Sequence, residues 1–89
     1  MPEISLKDEI NKSCVYIQDF IPNSMAYLVS PYLHICLDDD CVNHISNQVF
    51  VNRVNSFVES FILPFGGSYE IVCLDFNKKH IILKINSLL

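Results

Sequence analysis

Between Ser46 and Ile62 the apolar residues recur at helical spacing, and no other stretch limits the possible folds as strongly. Placed at about 100° per residue from Phe50, the side chains of Val51, Val54, Phe57, Val58, Phe61 and Ile62 fall within an arc of about 140°. Gln48, Asn52, Arg53, Asn55, Ser56, Glu59 and Ser60 occupy the other side. Such an arc suits a helix that lies across a sheet with its back to water. Asn43 or Ser46 is the expected N-cap, because a short polar side chain there can accept from a free backbone N–H. Pro64 and the Gly66-Gly67 pair close the helix.

The rest of the chain supplies the sheet that this helix needs. Leu33, Ile35 and Leu37 alternate with Tyr32, His34 and Cys36, as in a strand with one core face and one mixed face. Ile81, Leu83 and Ile85 alternate in the same way with His80, Ile82, Lys84 and Asn86. Met25 to Val29 is apolar on all sides, as a buried strand would be, with Pro31 marking an edge or a break. Tyr69 to Phe76 is apolar on both faces, which predicts a central strand, and Asn77-Lys78-Lys79 is a turn of hairpin length. Ahead of these, Leu6, Ile10, Cys14, Ile17 and Ile21 form a helical stripe over Ser5 to Ile21, with Ser5 and Asp8 as its start signal and Pro22 as its stop. The β-branched and aromatic residues Val15, Tyr16, Ile17 and Phe20 leave a rival reading, a short helix to Lys12 followed by a strand.

The expected fold is α+β and two-layered: an antiparallel sheet of three to four strands with two helices packed on one face, residues 1–89 forming one small domain. The order of elements is loosely similar to that of the roadblock and longin-type domains, which serve as scaffold and adaptor subunits. The likeness is one of order alone, without a shared motif.

Composition narrows the function by exclusion. The net charge is −4 and the six basic residues are scattered, so no cluster could neutralise a run of phosphates, and nucleic-acid binding through a basic patch is not expected. The longest apolar run is five residues, far short of the ~20 that span a bilayer. The first residues lack the basic and apolar regions of a secretory signal, so the four cysteines are expected as reduced thiols in an intracellular protein of cytoplasm or nucleus.

Few residues suggest chemistry. His34, Cys36, Cys41 and His44 carry the ligand types of a tetrahedral zinc site, although the spacing is not that of a familiar finger and Asp38, Asp39 and Asp40 lie inside the loop. Cys41 is the best-placed nucleophile, near the start of the long helix, but those aspartates would raise its pKa. Cys14 and Cys73 sit in apolar stripes and are expected to pack. Gly66-Gly67-Ser68 runs from a helix into a strand, the reverse of a phosphate-cradling loop.

What remains is a short chain that is 51% hydrophobic, more than an isolated domain of this size needs. That excess predicts a non-enzymatic protein-protein interaction module without cofactor, a small subunit or adaptor in a homo- or hetero-oligomer. Tyr32, Val51, Val58, Ile62 and Ile82 are the expected interface residues. A small zinc-binding domain is the alternative.

Overall fold

A computed structural model describes residues 6–86, so the expected cap at Ser5 lies outside the described residues. The fold is α+β with a four-stranded antiparallel sheet. In chain order its elements are α1 (Leu6–Ser13), α2 (Ile17–Phe20), β1 (Ser24–Val29), β2 (Tyr32–Leu37), α3 (Asn47–Phe61), β3 (Tyr69–Asp75) and β4 (His80–Ile85). The strands lie in the order β1-β2-β4-β3. The crossover from β2 through α3 to β3 leaves a gap one strand wide, and β4 fills it by folding back from β3.

The first helical segment changes pitch at Cys14–Tyr16, a single 3-10 turn between α1 and α2. Ser13 lies at the junction, where its hydroxyl donates to the Ile10 carbonyl at 2.7 Å. Serine bonding back to the preceding turn competes with regular helix, which accounts for the tightening here. From Leu6 to Phe20 the segment is helical with an interrupted geometry, and the rival strand over Cys14–Phe20 does not form. Ile21 ends it in extended conformation before Pro22.

β1 and β2 join through the two-residue turn Ser30-Pro31, with Val29 opposite Tyr32. Pro31 therefore stands in a turn, where its missing N–H costs no ladder bond. Ser46 caps α3, its hydroxyl accepting from the Val49 N–H at 3.1 Å. After α3 the chain makes one 3-10 turn, Leu63–Phe65, and Gly66 leaves it at a φ of 86°, a left-handed conformation that glycine adopts without penalty.

One core cluster gathers the buried side chains. Ile10, Ile17 and Ile21 of the first segment and Phe50, Val54, Phe57, Val58 and Ile62 of α3 and its C-cap join Leu33, Ile35, Leu37, Ile81, Leu83 and Ile85 of the sheet. Phe20 closes one end edge-on to Phe57, the ring centroids 5.6 Å apart, and the Arg53 guanidinium ties α3 to this end by donating to the Phe20 carbonyl at 2.8 Å.

Several expectations need correction. The strand Tyr69–Phe76 is an edge, not a centre, and Ile71 and Val72 are about half exposed beside a bulge between Ile71 and Cys73. Apolar residues on both faces mark a central strand only if both faces are covered. β1 lies at an edge, as Pro31 allowed, but it is not the buried strand expected: it turns Ala26 and Leu28 toward the core while Met25 and Val29 are each 58% exposed. Val58 and Ile62, expected at an interface, have no exposed surface, because the arc of α3 is consumed by its own core. Lys79 is buried within the hairpin turn, its ammonium donating to the Phe76 carbonyl at 3.0 Å, so the turn is less solvated than its two lysines suggest.

Candidate functional site: the open sheet face

The core-facing residues of β2 and β4 leave their neighbours pointing the other way, where Met25, Val29 and Tyr32 are exposed and His34, Cys36, His80, Ile82 and Lys84 are half-buried. Strand register arranges these outward side chains in three rungs across four strands. Val29, Tyr32, Lys84 and Glu70 form one; Tyr27, His34, Ile82 and Cys73 the next; Met25, Cys36, His80 and Asp75 the third. Charge is distributed unevenly over the grid. Glu70, Lys84 and Asp75 stand on β3 and β4, while β1 and β2 present thioether, aliphatic, phenol, imidazole and thiol groups. Tyr27 and Tyr32 are about 40% exposed, enough to offer ring area to another molecule.

At its middle three rings are linked. Tyr27 lies parallel to His34, with centroids 4.7 Å apart and planes within 7°. His34 Nδ1 is 3.1 Å from His80 Nε2, a hydrogen bond in which one ring donates and the other accepts. The link runs diagonally from the second rung to the third and couples β1, β2 and β4. Burial, and secondarily the charge of His80, holds His34 below the usual histidine range. Burial, with the Asp39 carboxylate adding to it, pushes the Cys36 thiol up, away from the thiolate that nucleophilic or metal chemistry needs.

The other proposed ligands lie elsewhere. Cys41 ends a 3-10 turn, Asp39–Cys41, and its carbonyl accepts from the N–H of His44, whose side chain is exposed. Among the described residues no three His, Cys, Asp or Glu side chains gather in a way that could hold a metal ion. His34 and Cys36 share the open face, Cys41 and His44 share a loop, and the zinc arrangement of these four is not formed. Cys73, expected to pack, is exposed on the grid, and all four cysteines are free.

Of the expected interface residues, Tyr32 and Ile82 stand on this face, Val51 is half-buried on α3, and Val58 and Ile62 are unavailable. Reading one strand at a time missed the partners that register supplies: Met25, Val29, His80 and Cys73. The available signal was the period-two alternation on β1, which sets Met25, Tyr27 and Val29 on one side. A cleft of about 440 Å³ adjoins the third rung, lined by Met25 and Cys36 together with Gln18, Asn23, Ser24, Leu37 and Asp38. Among the described residues no helix is long and apolar enough to cross a membrane. No protein-family model, no curated protein and no solved structure matches the chain.

Proposed function

We propose that the chain is a non-enzymatic protein-protein interaction module, a small subunit or adaptor of an intracellular complex, and that it docks through the open face of its sheet. The observation carrying this reading is the contiguous, charge-free half of that face, from Met25, Tyr27 and Val29 on β1 to Tyr32 and His34 on β2. Exposed apolar side chains scattered singly need no explanation, whereas a patch built by register is what an interaction site requires. The free thiols fit the reducing interior in which such a complex would work.

Size bounds the contact. Four strands about 4.8 Å apart and three rungs about 6.8 Å apart, with side-chain margins, cover about 400 Å². A standard stable interface takes about 800 Å² per partner, so the grid would be its centre, with surrounding surface completing it.

Native mass spectrometry of the purified chain, with capture of partners from its source, tests the reading. An oligomer or a co-purifying protein is expected, and Met25→Lys and Val29→Lys should each release it while circular dichroism stays unchanged. A stable monomer that captures nothing would refute the proposal.

A further inference from the structure

We infer that the hydrogen-bonded His34–His80 pair makes the open face proton-operated: it is locked while the pair carries at most one proton beyond neutrality, and unlocked when the pair takes up a second. The consequence for docking rests on the function proposed above, whereas the device belongs to the chain alone.

A nitrogen-to-nitrogen bond of 3.1 Å needs one N–H and one lone pair. Two neutral rings satisfy it. One imidazolium and one neutral ring satisfy it better, since a charged donor strengthens the bond. Two imidazolium rings have four N–H groups and no acceptor, so the second proton can enter only by breaking the link.

The surroundings make that second charge costly and its effect wide. Tyr27 faces His34 from β1, and Tyr32 and Cys36 flank it on β2. Lys84 from β4 contributes a positive charge one rung away. On β3, Cys73 shares the rung of His34, Glu70 stands opposite Lys84, and Asp75 stands opposite His80. Asp75 Oδ1 already accepts from the N–H groups of Asn77 and Lys78. The rung of His34 therefore holds Tyr27, Ile82 and Cys73 and no carboxylate. Burial and the charge of His80 depress the proton affinity of His34, in the same direction. Separation of the rings frees His34 to rotate and removes the flat surface on which Tyr27 rests. In that second step the face loses its ring stack and the pair passes from one positive charge to two, with the His34 ring inside the otherwise charge-free half. An apolar partner seated there would be released as the pH falls below the ordinary histidine range.

Long-range ¹H–¹⁵N spectra of the full chain, titrated from about pH 8 to about pH 4.5, read the device directly. The expected result is two coupled steps shared by His34 and His80, at least about one unit apart, with Tyr27 ring signals moving in the lower step. In His80→Ala the remaining ring should titrate in one step, and His44→Gln should leave both steps in place. Independent single-step titration of the two rings in the wild-type chain, with Tyr27 unmoved, would overturn the inference without recourse to any variant. That failure would leave the docking reading standing. Conversely, an intact two-step profile in a chain that captures no partner would remove docking and retain the switch.

Discussion

Gly67 offers the sharpest test of how the long helix meets the sheet. A Cβ placed there would lie 2.8 Å from Ile62 Cγ2, 3.1 Å from Leu6 Cδ2 and 3.2 Å from the Ile62 carbonyl oxygen. Carbon atoms pack at about 3.5–4.0 Å, so the first contact falls short by about 0.7 Å. Ile62 cannot yield easily, because it is fully buried and its carbonyl accepts the Gly67 N–H. Overpacking of this kind costs about 1–3 kcal/mol. The reduced freedom of the unfolded chain returns about 0.4–1 kcal/mol, and Gly67, unlike Gly66, has no positive φ to forbid alanine. Gly67→Ala should therefore destabilise by about 1–2 kcal/mol, which at about 4–8 °C per kcal/mol lowers Tm by about 4–16 °C. Gly66→Ala is the matched control. Nothing lies within 4 Å of its added Cβ, but the φ of +86° remains, so it should cost about 1–2 kcal/mol for backbone reasons only. Urea unfolding followed by circular dichroism separates the two through Ile62→Ala. Removing Cγ2 should diminish the cost of Gly67→Ala and leave that of Gly66→Ala unaltered, a coupling that a double-mutant cycle measures. A Gly67→Ala protein as stable as wild type, or one whose cost ignores Ile62, would refute the packing argument.

Other consequences can be checked as directly. Phe57→Ala should cost about 3–5 kcal/mol in the same urea assay, since Phe57 is fully buried and holds Phe20 edge-on. Because the native state holds His34 below its usual range, it binds fewer protons than the unfolded chain in mildly acidic solution. The stability that His34 contributes is thus present above about pH 6.5 and lost as the pH falls through the depressed value, and His80→Ala should flatten that slope. Iodoacetamide mass mapping should label the exposed Cys73 first. Cys14 and Cys36, whose thiols burial pushes up, should follow slowly and accelerate when the pH is raised.

The helix over residues 46–62 and the inward sets Leu33-Ile35-Leu37 and Ile81-Leu83-Ile85 were legible in the sequence because each belongs to one periodic face, and period is a local property. Strand order was not. Tyr69–Phe76 is rich in apolar residues on both sides, yet it lies at an edge, because β4 returns into the gap beside β2 and displaces it outward. Val58 and Ile62 show the same limit on a helix: an arc of about 140° states how much is apolar, not whether the partner is the protein's own core. Half of the candidate site was visible as Tyr32 and Ile82. Its other half, the stack of Tyr27 on His34 and the bond from His34 to His80, joins residues up to 46 positions apart and exists only through register.

The bulge beside Val72 acts on the sheet's margin. An edge strand with an unbroken ladder is a template for another strand, and a chain this apolar would be prone to polymerise along it. Between Ile71 and Cys73 the register slips by one residue, so an incoming strand would meet a kinked margin and could not keep its hydrogen bonds in step. At the opposite margin the helical residues Cys14, Val15, Ile17 and Gln18 flank Ser24, Met25 and Ala26 around a shallow recess of about 210 Å³. Growth of the sheet into a ribbon is hindered at both ends, so the docking proposed above would rest on side chains of the broad face instead of backbone at the rim.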